Sequence, residues 1–498
     1  MLHLAENDLY MLIQGMETKE ARRFLSLHKK KTSGAKGEKK YVQLFKAYQE
    51  DTPPSDAALR KRLKLGPGSA LPMLRQYLYD ELLDFLLVNN PQETSEFKLT
   101  RMLNQAVLLG KKGLPGQGLK LMRKVYQKAK LLERFTIALE AQYQMLTLLP
   151  KMEAVGDYKR FLEDVWVEKD ELLAGMHEIF SVMHEFANRK MVMLERKGST
   201  DTPLTTGREI TSYRTFTARS ILAKIRAGAA SASGDPETAF ALRKQLFDWF
   251  EEAPAFKMDR YASYQALLFN LCTTSLRSNH LMEAHRYLVH QVEMIAKTKK
   301  IATTSYQKGC ELRHRICELY YVWRHKGLEA ALPLVEQYGS DQAQPEFKGI
   351  WQMHSLTLRV ASTMVLTEAR AYTRSLKAIA ALQRDLPARH RADIRAWCDL
   401  MALYLNFLTG DRLYIIAALR NFLRAGDTRG APKVALALAR FLRYLLNHEA
   451  KSPVSHQKTW RETRTDIDDN WMAWTSGDDS WRWTLGWIES VLDLAPTA

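Results

Sequence analysis

Ser233-Gly234-Asp235-Pro236-Glu237-Thr238-Ala239 reads as a junction between two helices, with the large apolar Leu242, Leu246 and Phe247 behind it. Ala239 is a small residue five places after the break. The same placement recurs at Ala284, Ala331 and Ala378, at intervals of 45, 47 and 47 residues. A fixed period of that length, with amphipathic helices on both sides of each break, indicates stacked helical hairpins whose units bury only what their neighbours cover. The position is small because the second helix of a hairpin crosses the first closely just after the turn. A longer side chain would push the axes beyond the ~8–10 Å at which helices pack.

Working backward, Leu103, Ala106, Val107 and Gly110 form an apolar face, Gly113 to Gly116 a turn, and Gly118, Met122, Val125, Ala129 and Leu132 the facing stripe. Gly118 then occupies the small position. The next such position falls on Phe161, after a turn at Val155-Gly156-Asp157, and the long interval to Ala239 implies an insertion near residues 197–207. Beyond Ala378 the pattern loosens. Gly410-Asp411 is a turn, but Ala417 and Ala418 come seven and eight residues later.

Residues 233–247 resemble the helix-to-helix junction of the tetratricopeptide-like superfamily, and the likeness extends in topology over about residues 97–450, with units longer than that family's usual ones. The resemblance implies an all-α fold, a right-handed α-solenoid of stacked antiparallel helical hairpins, and binding in place of catalysis. The stretches Glu17 to Phe24 and Gly37 to Phe45 are similar to those of uncharacterised bacterial helical-repeat proteins, a likeness that implies no activity.

Three regions follow: an N-terminal helical module at 1–95, repeats at 96–450 and a Trp-rich C-terminal segment at 451–498. In the first, Thr18 starts a helix, Tyr41, Leu44, Phe45 and Tyr48 mark a second, and Gly66 to Ser69 joins a short basic helix to a longer one. That pair has the outline of a helix-turn-helix DNA reader. Its second helix, however, presents Asp80, Glu81 and Asp84 where phosphate contact wants bases. In the last region six of the eleven tryptophans lie between Trp460 and Trp487. Trp471 and Trp474 are spaced i, i+3 and Trp483 and Trp487 i, i+4, so they make either a cap on the last repeat or a docking surface.

The chain of 498 residues is 46% apolar, ample for a continuous core. Cys272, Cys310, Cys317 and Cys398 form no CxxC pair and sit in apolar-periodic segments, which fits a reducing compartment. With an acidic start after Met1 and no run of 18 apolar residues, cytoplasmic localisation without membrane insertion is expected. The formal charge of +17 is concentrated at His28 to Lys40, Arg101 to Lys130 and Arg370 to Arg443. Lys120, Arg123, Lys124 and Lys128 share one helix face and are the best-placed bases for an anionic partner.

Chemistry is sparse. There is no GxxxxGK[ST] loop and no GxSxG elbow. His177-Glu178 and His184-Glu185 begin HExxH, but Ser181 and Asn188 stand at the second ligand positions. Arg443 to His448 matches the R-x4-H spacing of the HEPN ribonucleases, a spacing that chance supplies readily in a chain with 13 histidines. No catalytic set, cofactor, metal or small-molecule ligand is expected. The expected role is a scaffold or adaptor for a protein partner, held in the solenoid groove and by the Trp-rich tail. The alternative is a nucleic-acid binder using the basic helix faces.

Overall fold

The computed structural model describes residues 8–16, 18–30, 39–50, 54–66, 68, 70–89, 94–149, 155–195, 209–233, 235–341, 352–386, 392–426, 431–448, 452–470 and 479–494. These residues form 23 α-helices and no strand. By contact density the chain divides into Met1–Glu93 and Thr94–Ala498.

The first unit holds α1 (Asp8–Gly15), α2 (Thr18–Lys30), α3 (Lys40–Tyr48), α4 (Asp56–Arg62) and α5 (Ala70–Asn89). Phe24 of α2 is its keystone, fully buried with Phe45 at 4.8 Å and Phe85 at 5.3 Å between ring centroids. His28, one turn on, is buried and hydrogen-bonded to the Tyr41 hydroxyl at 2.7 Å. Ser55 caps α4 by accepting from the Ala58 N–H.

The second unit is built on one recurring junction. α6 (Ser95–Lys111) ends where the Leu114 N–H reaches back to the Leu109 carbonyl across Gly113, which has φ 78°. This is a Schellman closure, in which a left-handed residue satisfies the last carbonyls of one helix. Here the next residue is already the N-cap of α7 (Pro115–Leu131). The same closure with Glu133 (φ 54°) leads into α8 (Phe135–Leu148), followed by the 41-residue α9 (Val155–Glu195). α10 (Phe216–Ala232) joins α11 (Pro236–Glu252) through the Asp235 N–H to the Ala230 carbonyl, and the Asp235 carboxylate caps α11. After the short α12 (Pro254–Asp259) and α13 (Tyr261–Arg277), Asn279 (φ 57°) turns the chain into α14 (Leu281–Thr298). α15 (Thr304–Lys326) ends at Gly327 (φ 89°) before α16 (Leu328–Asp341). Arg370 (φ 57°) joins α17 (Gln352–Glu368) to α18 (Tyr372–Asp385), and Gly410 (φ 87°) joins α19 (Ala392–Thr409) to α20 (Arg412–Gly426). α21 (Lys433–Asn447), α22 (Pro453–Asp469) and α23 (Asp479–Val491) complete the unit.

Helices neighbouring in sequence pack on one another, and α13 and α15 also pack on the alternate helices α11 and α17. The junction fixes where the close crossing falls, at the fourth residue of the second helix. Gly118, Ala138, Ala239, Ala284, Ala331 and Ser375 hold that place and all are buried. Each stands twelve residues after a buried residue of the preceding helix: Ala106, Tyr126, Ala227, Cys272, Leu319 and Thr363. The Cys272 thiol donates to the Ala284 carbonyl at 3.6 Å and the Ser375 hydroxyl to the Thr363 carbonyl at 3.5 Å.

Two expectations are corrected. The close position of the fourth unit is Ser375 and not Ala378, which is only half-buried. The left-handed residue there is Arg370, and with no glycine to mark it the junction lies three residues earlier than the repeat spacing implies. Val155-Gly156-Asp157 is no turn but the start of α9, so half-buried Phe161 faces no hairpin crossing, and the long interval to Ala239 holds most of α9 and then α10. The insertion expected near 197–207 lies outside the described residues. At the position equivalent to the small ones, α20 carries Ile415, fully buried. No helix among the described residues is long and apolar enough to cross a membrane.

Candidate functional site

Once the close positions are aligned, a second set of equivalences appears in the C-terminal half of each first helix. Fifteen, eleven and seven residues before Ala284 stand Phe269, Thr273 and Arg277 of α13. The same counts before Ala331 give Ile316, Tyr320 and Arg324 of α15, and before Ser375 give Val360, Met364 and Glu368 of α17. Spacings of four residues keep each trio on one helix face. All nine line a single cavity of about 750 Å³. The size is within the range of built ligand sites.

Its walls have distinct chemistry. Tyr320 stacks on Trp323 at 6.1 Å, and Trp323 meets Trp483 of α23 edge-on at 6.2 Å. The Trp483 indole N–H donates to Glu368 at 3.2 Å, and Trp397 donates to Thr484 at 3.0 Å, which ties α23 to α17 and α19. Arg243 of α11 enters from one side, its guanidinium donating to the hydroxyls of Thr274 and, at 2.8 Å, Ser231. No carboxylate among the described residues pairs with it. Burial, and then the charge of Arg277, lower this guanidinium to about 10, so it stays charged at neutral pH. Arg324 donates to the Leu276 carbonyl at 2.5 Å, which holds its side chain along the rim. His354 accepts from Arg313 Nε at 3.2 Å, and burial followed by the Arg313 charge lowers it to about 4, leaving it neutral. Asp393 of α19 lines the far side with Glu368.

The residues singled out in the sequence are dispersed. Lys120, Arg123, Lys124 and Lys128 are all exposed on α7, and none forms an ion pair among the described residues. They do not reach the cavity. Trp483 is half-buried and forms part of the cavity wall, whereas Trp487 is buried at 6% exposure, stacked behind it at 5.9 Å. Trp471 and Trp474 lie outside the described residues. Glu178, of the HExxH-like start, accepts the backbone N–H groups of Arg214 and Thr215 at 3.1 Å each, a structural role before α10. His448 stacks on Tyr444 at 4.6 Å with its Nδ1 at 3.0 Å from the Tyr444 carbonyl, while Arg443 is exposed.

Arg243, Arg277, Tyr320, Trp323 and Arg324 were missed as site residues. The signal was present as the 47-residue interval relating Phe269 to Ile316, Thr273 to Tyr320 and Arg277 to Arg324. It needs the junction register to be seen. Compared with known proteins, the chain matches no family model, no curated protein and no solved structure.

Proposed function

We propose that the second unit is a right-handed α-solenoid of stacked antiparallel hairpins, tetratricopeptide-like with long units and closed by the Trp-rich segment. On this reading the protein is a non-enzymatic scaffold or adaptor that holds a segment of a partner protein. One observation carries the reading: equivalent positions of three successive hairpins contribute to one cavity. Stacked hairpins bring their first helices side by side on an inner face, and such faces hold extended ligands. The mixture of aromatic side chains with arginine is the composition of protein-binding hot spots.

The test is affinity purification of the full-length chain under native conditions, beside a Tyr320→Ala/Arg324→Glu variant altered only at half-buried and exposed cavity positions. A stoichiometric protein partner retained by the wild type and lost by the variant is expected. Identical recovery from both would remove the cavity from the reading.

The exposed basic face of α7 favours nucleic acid as a second candidate partner, since four like charges that form no ion pair among the described residues attract a polyanion. RNA retention that disappears in Lys120→Glu/Lys124→Glu at low salt would support it.

A further inference from the structure

We infer that the cavity reads a bipolar peptide segment, with an acidic side chain at one end, apolar or aromatic side chains between, and a basic side chain at the other. This deepens the scaffold reading and rests on it. The position seven residues before the close crossing is Arg277 in α13, Arg324 in α15 and Glu368 in α17, so the charge changes sign between one hairpin and the next. Arg243 of α11 adds to the positive end and Asp393 of α19 to the negative one.

The positive end is built for an anion. Arg243 is held by two hydroxyls, its charge meets no opposing carboxylate among the described residues, and the nearest charge acting on it is another guanidinium. Removing a cation from water beside a like charge is unfavourable unless an anion joins it. A carboxylate is the partner that a planar guanidinium fits with two parallel hydrogen bonds. The negative end excludes a uniform polyanion. A nucleic acid or a polyglutamate strand laid across the whole cavity would bring its charges against Glu368 and Asp393, and like charges opposed in a partly desolvated site are strongly disfavoured. Tyr320, Trp323 and Trp483 between the two ends give the apolar contact area that an extended chain needs.

The spacing follows from helix packing. α13, α15 and α17 pack in succession, and at about 10 Å per neighbouring axis Arg277 and Glu368 are separated by two steps, about 20 Å. An extended peptide rises about 3.3 Å per residue, so acid and base are about six residues apart. The polarity also fixes the direction in which the segment lies.

A display library of random twelve-residue peptides, selected on the full-length protein and on its Arg324→Glu and Glu368→Arg variants, tests this. Both positions are exposed, though Glu368→Arg removes the acceptor of the Trp483 N–H and Arg324→Glu the donor to the Leu276 carbonyl, so unchanged thermal melting is required to verify that each variant retains the fold. Wild type should enrich peptides with an acid and a base in one order at about that spacing. Glu368→Arg should shift the selection to peptides acidic at both ends, with affinity for the wild-type winners reduced at least about tenfold. Peptides enriched without charge order, yet lost on Arg324→Glu, would overturn the bipolar reading and keep the groove. Enrichment indifferent to both variants, or none, would overturn the groove reading as well.

Discussion

Gly118 faces the carbonyl oxygen of Ala106 so closely that a β-carbon placed on it would stand 2.8 Å from that oxygen and 3.2 Å from Leu148 Cδ1. The first neighbour is backbone and cannot swing aside. Gly118→Ala should therefore destabilise the protein by about 1–3 kcal/mol, even though alanine is the better helix former. Gly228 in α10 is the control, since nothing lies within 4 Å of its added β-carbon. Gly228→Ala should stabilise by roughly 0.5–1 kcal/mol. Urea unfolding midpoints decide the pair, and equal midpoints for the two variants would remove close crossing as the reason for a small residue at 118.

That contact is also what made the fold readable. Glycine or a short polar group marks most junctions, and a small residue follows at a fixed distance because the backbones of the two helices nearly touch. The register slipped at Arg370, where a left-handed residue carries a full side chain, stabilised by the closure from the Ala371 N–H to the Leu366 carbonyl. It also failed along α9, because an unbroken 41-residue helix gives no junction to count from and Gly156 within it resembles one. The cavity was less legible than the fold. Arg277 and Arg324 look like solvated helix charges until equivalent positions are superposed, and Trp483 joins them only through the path taken by α23.

The four cysteines are free and buried. Burial pushes the Cys310 thiol up, and burial with Asp399 nearby raises Cys398 to about 12. Cys272, beside Cys317, is raised by their mutual hydrogen bond and by burial. All four thiols are closed off from reagent by burial, so a disulfide-exchange reagent at pH 8 should titrate almost none of them in the native protein and all of them in denaturant. One native thiol reacting at the rate of free glutathione would contradict the packing of these helices.

Acid should weaken the fold through neutral histidines. Burial lowers His354 to about 4, and lowers His290 and His314 in the same direction. As pH falls below about 6.5 the unfolded chain takes up protons that the folded one refuses, so stability is lost between pH 6.5 and 4 and levels off below. His354→Gln keeps an acceptor for Arg313 and removes the titration. Its unfolding free energy should fall by about 2 kcal/mol less than that of the wild type across this range, allowing for the partial exposure of the ring. Parallel pH profiles for the two proteins would show that His354 ionises normally.

Lys224 stands fifteen residues before Ala239, the place that Phe269 holds before Ala284 and Ile316 before Ala331. It is the equivalent position one hairpin earlier, on α10, outside the cavity lining. Its side chain keeps access to solvent, yet burial by the surrounding protein and then the charge of Arg260 lower its ammonium to about 8. The sign follows: near pH 8 about half of the Lys224 amines are neutral and nucleophilic, against under about 1% for an ordinary lysine with pKa near 10.4. Brief acetic anhydride treatment at pH 7.5, read by peptide mass spectrometry, should acetylate Lys224 ahead of exposed Lys120, with a midpoint near pH 8 in the rate profile. A Lys224 rate that climbs only above pH 10 would place the amine in open water and contradict its packing near Arg260.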